Sequence, residues 1–299
     1  MNQTILLAGG SGLVGSRLQQ LLTEAGYTVR LLTRSPKAEN HFFWDPMQNK
    51  LDEQALAGVH AVINLTGAGI ADKRWTPSRK KILIDSRVLS TQLLGEAIAR
   101  MPEKPQAFIS ASAIGYYGNS GEHTMTETDS PVGEGFMIEC CEAWEQAAHQ
   151  AIQSGIRTVI LRIGVVLTPD GGALAELIKP LRFGLGSYFS NGKAWWSWIH
   201  IDDLCRQFIW AMETNSVEGT FNAVAPNPVR NLPLVKSLAS AMKKNALFAP
   251  VPALALQLAL GEMSQVVLNS NRIISDKIQA AGFQYKHPQL EGALQDLLR

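Results

Sequence analysis

Ile5-Leu6-Leu7-Ala8-Gly9-Gly10-Ser11-Gly12-Leu13-Val14-Gly15 is the stretch on which the fold turns. The apolar run reads as a buried strand, the glycines as a tight turn, and the residues from Leu13 onward as a helix. Val14, Leu18, Leu21, Leu22 and Ala25 fall on one apolar stripe at helical spacing. Strand, glycine turn and amphipathic helix in that order form the local plan of a dinucleotide-binding βαβ unit. Each part has a chemical reason. Without Cβ atoms at Gly9, Gly10 and Gly12, the backbone comes close to a pyrophosphate. The free amides around Ser11, Leu13 and Val14, with the helix dipole, then meet its charge. Gly15, inside the helix, permits close packing of the helix on the strand.

The end of the second strand, Thr28–Leu32, selects the dinucleotide. NAD sites usually carry an Asp or Glu there to accept hydrogen bonds from the ribose 2′-hydroxyl. This chain continues Thr33-Arg34-Ser35-Pro36-Lys37. It offers no carboxylate, while Arg34 and Lys37 supply positive charge for a 2′-phosphate. The competing reading is a solvated basic loop; NADP rather than NAD is the expectation. The tip of the third strand, Asn64-Leu65-Thr66-Gly67-Ala68-Gly69, is expected against the adenosine or the pyrophosphate.

Further strands are predicted over Ala61–Leu65, Ala107–Ser112 and Thr158–Ile163, separated by helical patterns. One of these carries Met137, Cys140, Cys141, Trp144, Ala148 and Ala151 on a single stripe. Near-continuous apolar strands alternating with amphipathic helices predict an α/β fold with a doubly wound parallel sheet of Rossmann type. The pattern changes after Leu167, with more Gly, Pro and aromatic residues and a helix-rich tail from about Leu232. The expected organisation is a cofactor core over residues 1–167 and a smaller substrate-side lobe over 168–299, some segments of which return to the core. With 299 residues, 46% hydrophobic and 18% charged, the composition is that of an ordinary globular protein. A net charge of +1 without a dense basic run argues against nucleic acid as a partner, and no apolar stretch is long enough for a membrane span. Three cysteines make no disulfide framework, and the N-terminus shows no signal-peptide pattern. The expectation is a cytoplasmic monomer or homodimer acting on a small molecule.

The glycine turn, the strand end Ser110-Ala111-Ser112, the segment His200-Ile201-Asp202-Asp203-Leu204 and the run Trp195-Trp196-Ser197-Trp198-Ile199-His200 together resemble the extended short-chain dehydrogenase/reductase superfamily. The resemblance is strongest to its atypical "epimerase family" subgroup and extends through Gly261-Glu262-Met263 and Ala281-Gly282-Phe283. It implies hydride exchange with a nicotinamide and, in the wider superfamily, a Tyr-x-x-x-Lys pair that moves the substrate proton. Here the Tyr position falls at Phe136, the Lys position at Cys140, and the position of a frequent Asn at Arg87. Phe transfers no proton, and a thiol does not replace a fixed ammonium.

The remaining candidates follow from that resemblance. Ser112 is expected to polarise a substrate oxygen, with the alternative that it satisfies a backbone group. Tyr116 or Tyr117 is expected to supply the missing acid or base, unless its hydroxyl is merely satisfied by burial. Cys140 faces the nicotinamide or serves as a small core residue. Arg87 and Arg162 border the cofactor. Glu127, Trp196, Trp198 and His200 are candidates for contact with substrate, while Asp202 or Asp203 is expected to cap the helix Leu204–Met212. No histidine spacing suggests a metal site. The expected function is NADP-dependent oxidation, reduction or epimerisation of a small polar molecule, such as a nucleotide-linked sugar. The alternative is a cofactor-binding regulator or redox sensor without catalysis.

Overall fold

Successive side chains of a strand face opposite sides of a sheet, so a strand covered on both faces must be apolar at nearly every position. The computed structural model describes residues 3–152 and 155–299, without the side chains of residues 150–152. Its central strands are β1 (Thr4–Ala8), β2 (Thr28–Thr33), β3 (His41–Asp45), β4 (Lys50–Leu51), β5 (Val59–Asn64), β6 (Ala107–Ala113), β7 (Arg157–Ile163) and β8 (Gly219–Ala223). Along β1, Ile5 and Leu7 enter one core while Leu6 and Ala8 enter the other. β5 and β6 divide in the same way: Ala61 and Ile63 against Val62, and Ala107 and Ile109 against Phe108.

These strands form one eight-stranded sheet in the order β8-β7-β6-β5-β1-β2-β3-β4. All neighbours are parallel except the short edge pair β3–β4. From β1 the chain winds outward through β2 and β3, then crosses back to place β5 on the other side of β1. The crevice beyond the carboxyl ends of β1 and β5 is therefore a topological switch point, where open α/β sheets bind ligands. The doubly wound parallel sheet expected from the sequence is present. The strands β3, β4 and β8 were not anticipated.

Helices cover both faces. α1 (Leu13–Glu24) lies on one face; α2 (Pro77–Ala99) and α3 (Phe136–Ile152) pack together on the other. Thr76 opens α2 by accepting a hydrogen bond from the Arg79 amide, with Pro77 in the first turn. On α3, Cys140, Cys141, Trp144 and Ala148 are buried as their spacing predicts; the Ala151 side chain lies outside the described residues. α4 (Gly172–Arg182) buries Leu174, Leu177, Ile178 and Leu181, and α5 (Ile201–Glu213) packs beside α1. α4, α6 (Asn231–Ala241) and α7 (Leu290–Leu297) enclose a third core that includes Trp196 and Trp198. Residues 168–299 also return to the sheet: β8, α5, Ile278 and Phe283 belong to the first core. Among the described residues no helix is long and apolar enough to cross a membrane.

Candidate cofactor groove and reaction cavity

The glycine turn lies at the switch point. Gly9 has φ +82°, and a Cβ there would lie 2.8 Å from the Leu65 carbonyl carbon at the end of β5. A Cβ on Gly15 would overlap the Gly9 carbonyl oxygen and the Gly10 Cα, so strand, turn and helix pack backbone to backbone. Gly12 caps α1 without a side-chain hydrogen bond, and no acidic residue occupies the first turn. The helix N-terminus thus keeps free donors and an uncancelled positive end.

A groove of about 590 Å³ opens from this turn, lined by Gly9, Ser11, Gly12, Thr33, Arg34 and the stretch from Leu65 to Ala68. Asn64 fixes the Leu65–Ala68 turn: its carboxamide donates to Thr91 and accepts from the Thr66 amide, while Ser86 accepts from the Ala68 amide. The Thr66 hydroxyl is buried with no hydrogen-bond partner, a group shaped for a ligand. Arg34 is exposed at the groove with no ion-pair partner among the described residues. Trp44, Asp45 and Met47 complete the wall. Asp45 is already engaged by the Met47 amide and Gln48.

Arg87 lies under the same turn; a Cβ on Gly67 would stand 3.0 Å from its guanidinium carbon. It donates to the Leu83 carbonyl and rests on the Trp144 ring, 5.0 Å from the centroid. Burial lowers its pKa, opposed by Cys140 and Cys141, and no carboxylate pairs with it among the described residues. The uncapped helix end, the orphaned Thr66 hydroxyl and two cations without carboxylate partners fit a dinucleotide carrying several phosphate charges.

A second cavity, of about 240 Å³, opens beyond the carboxyl ends of β6 and β7. Ala113, Ile114 and Gly115 form its floor with Ile163, Gly164 and Val165; Met137, Trp195 and Trp196 form its sides. The segment from Gln265 to Asn271 closes it from the C-terminal region. None of the lining residues is titratable.

Residues 5–223 match the model of the NAD dependent epimerase/dehydratase family, and residues 251–297 match a domain of unknown function. The chain belongs to the NAD-dependent epimerase/dehydratase family. An epimerase family protein of Staphylococcus saprophyticus is 37% identical, with 98% of each chain covered. The human epimerase family protein SDR39U1, solved with NADPH, is 32% identical at a TM-score of 0.92 and covers 99% of both chains. A nucleoside-diphosphate sugar epimerase of Corynebacterium glutamicum is 30% identical at a TM-score of 0.81; all of this chain matches 58% of that one. The chain is thus an NAD(P)-binding protein of the atypical epimerase branch of the short-chain dehydrogenase/reductases.

Several residues expected at an epimerase-family reaction centre are instead joined in a closed network. Ser112, at 1% exposure, donates to Glu145 at 2.6 Å. Arg162 meets the same carboxylate with two bonds of 2.8 Å and donates to the Tyr117 hydroxyl at 2.9 Å. That hydroxyl donates to Asn222, whose backbone amide donates to Glu127. Burial opposes the Arg162 charge, but the Glu145 hydrogen bonds and attraction outweigh it and raise its pKa. Burial pushes the Tyr117 pKa up to about 12, the wrong direction for a neutral-pH acid. Tyr116 lies over the Arg162 guanidinium, its ring centroid 3.4 Å away, and edge-on to Tyr117. None of these residues lines the cavity; the position facing it beside Ser112 is Ala113. Ser112, Tyr117, Arg162 and Glu127 are therefore members of one hydrogen-bonded network.

Phe136 and Cys140 lie with Trp75, Leu83 and Met263 in an apolar cluster, where burial raises the Cys140 pKa and keeps it a thiol. Trp196 does line the cavity, but Trp198 is fully buried in the lobe core and donates to the Asn227 carbonyl. His200 stands elsewhere, in a recess with Arg17, Thr168 and Asp296. Its Nδ1 accepts from the Asp202 amide, so His200 rather than Asp202 or Asp203 caps α5, which starts at Ile201. Asp202 pairs with Arg17, and Asp203 accepts from the Lys286 and His287 amides.

His200, His287 and Asp296 bring their ligand atoms within 4.8 Å, a grouping that their sequence spacing concealed. The capping bond fixes the proton on His200 Nε2, and the two rings stack at 3.9 Å with an 18° tilt. Nearly parallel rings do not aim their in-plane lone pairs at one ion, so the trio is a poor metal cage. Sequence reasoning also missed Trp44, Met47 and the Gln265–Asn271 wall. These sit far along the chain from the glycine turn, and no local motif marks them.

Proposed function

We propose that this protein is a cytoplasmic NADP(H)-dependent oxidoreductase whose small-molecule substrate enters the cavity beyond β6 and β7. In this reading the amides of the Gly9, Gly10, Ser11, Gly12, Leu13, Val14 and Gly15 turn bind the pyrophosphate. Thr33 and Arg34 hold the 2′-phosphate, and Leu65, Thr66, Gly67 and Ala68 cover the adenosine side. Arg87 presents a cation beneath the Gly67 turn. A bound nicotinamide supplies hydride chemistry at its C4. The protein's own part is to orient that ring, exclude water with Ile114, Met137 and Trp196, and present no competing base.

One observation carries the choice of oxidoreductase over epimerase: no titratable side chain lines the cavity. Inverting a carbinol centre through a ketone requires a group that takes the hydroxyl proton, whereas hydride transfer to a conjugated acceptor leaves a delocalised anion that takes its proton from water. The absence of a carboxylate at the end of β2, with Arg34 exposed there, supports NADP over NAD. Three free, buried cysteines support a reducing compartment. The missing acid and base equally favour one second reading, a cofactor-binding regulator that performs no turnover.

Calorimetry with NADPH and NADH, followed by absorbance at 340 nm over a panel of carbonyl and conjugated acceptors, tests both. Tight NADPH binding with oxidation by some acceptor supports the oxidoreductase. Tight binding without oxidation by any acceptor supports the regulator. Failure to bind either coenzyme removes both.

A further inference from the structure

The chemistry of the 240 Å³ cavity narrows the substrate class. Its walls include Ile114, Met137, Ile163, Val165, Trp196 and Val267. Two of its four polar residues, Ser197 and Asn271, are already engaged. The Ser197 hydroxyl donates to the Asn271 carbonyl and accepts from the Ile273 amide, and the Asn271 carboxamide accepts from Ser120. The Gln265 and Asn269 carboxamides and the Trp196 indole N–H carry no hydrogen bond among the described residues. A sugar ring presents a hydroxyl on nearly every carbon, more than these few groups can partner, and each unpartnered hydroxyl would lose its water uncompensated. Sites that enclose drug-sized ligands run to roughly 300–1,000 Å³, so a nucleotide-linked sugar would not be enclosed here.

Resting on the oxidoreductase reading, we infer that the cavity takes an uncharged, planar, electron-poor conjugated ring of the quinone or isoalloxazine class. Two features favour it. Trp195 is held rigid: its Nε1 donates to Glu122, and the Arg230 and Arg272 guanidinium groups lie 4.4 and 4.9 Å from its centroid. Trp196 packs against Phe189, which fixes a second indole on the cavity wall. Rigid indoles offer flat contact area at little entropic cost. The second feature is the absent acid. Reduction of such a ring takes a hydride, one proton with two electrons, from the dihydronicotinamide and one further proton from water. The intermediate negative charge is spread over the conjugated system. A site serving this class has no use for the Tyr and Lys that Phe136 and Cys140 replace.

Lumiflavin and menadione are the probes, with binding read from quenching of lumiflavin or tryptophan fluorescence in protein loaded with NADP+, without turnover. Saturable binding of either ring is expected, and the stronger binder identifies the source. UDP-glucose should not displace it. Val266 lies on the wall and is 38% exposed, so its replacement should leave the fold intact. V266D should weaken ring binding at least about tenfold by placing a charge in the cavity, and V266A much less. NADPH affinity should be unchanged in both. Absence of saturable binding by either ring, displacement by UDP-glucose, or indifference to V266D, each with NADPH binding intact, overturns the assignment. Loss of NADPH binding in the unmodified protein overturns the oxidoreductase reading instead.

Discussion

The crevice beyond β1 and β5 and the strand ends of β6 and β7 treat their polar residues in opposite ways. In the crevice, Thr66 has a buried hydroxyl with no partner, Arg34 has no ion pair, and Arg87 has no counter-charge among the described residues. At β6 and β7, Ser112, Glu145, Arg162, Tyr117, Asn222 and Glu127 pass hydrogen bonds to one another until little is left unmet. Buried polar groups are normally satisfied, so those left wanting mark where a ligand belongs. By that measure the cofactor half is built for binding, and the polar cluster behind the cavity is built to hold two strands, α3 and a loop together.

The sharpest way to break this contrast is Glu145→Gln. Both partners of the Arg162–Glu145 pair are 6% exposed, so the substitution strands a buried cation and should cost about 3–5 kcal/mol of stability. Denaturant unfolding measures the loss, while NADPH affinity of the folded variant should hold. A large affinity loss would place the network inside the cofactor site.

Next comes acid sensitivity at the foot of the lobe. Burial, then the neighbouring His287, lowers the His200 pKa from 6.5 to about 4, against weaker pulls from Asp202, Asp203 and Asp296. The unfolded chain binds the proton first as pH falls. The stabilisation from neutral His200 is therefore complete above pH 6.5 and is lost progressively toward pH 4, by roughly 3 kcal/mol. Melting temperature followed across that window should fall, and more shallowly in His200→Asn, which retains a capping acceptor.

Gly15→Val acts on the cofactor half. Its Cβ meets the Gly9 carbonyl, so the turn must open, and NADPH affinity should drop roughly 100-fold. Arg34→Glu is milder and more selective: about 10- to 100-fold for NADPH, with NADH nearly unaffected. Equal losses for the two coenzymes would remove the 2′-phosphate role. Tyr116→Phe should change least. Its ring packing on Arg162 survives, so any oxidation rate found at 340 nm should stay within about a factor of two. A collapse of that rate would restore the phenol to the chemistry.

The cofactor half was legible because its signals are local. Ile5 through Gly15 encodes strand, turn and helix within eleven residues, and Arg34 follows at the next strand end. The reaction side was much less legible. Ser112 and Ala113 are adjacent, and their alternation on β6 decides which one faces the cavity; a shift of one residue reverses the answer. Trp196 and Trp198 both looked like pocket walls, yet one lines the cavity and the other fills the lobe core. The strand His41–Asp45, next to the edge, carries no clean alternation, and β8 is separated from β7 by residues 164–218.

Sequence alone determined the βαβ unit, the sheet class and the cation at the end of β2. Those depend on backbone geometry and charge within a few residues. Only the tertiary structure decided that Ser112, Glu145, Arg162 and Tyr117 satisfy one another, and that an apolar cavity without acid or base lies beside them. Hydrogen-bond satisfaction and cavity lining depend on which distant residues share a volume, and spacing along one chain does not encode that.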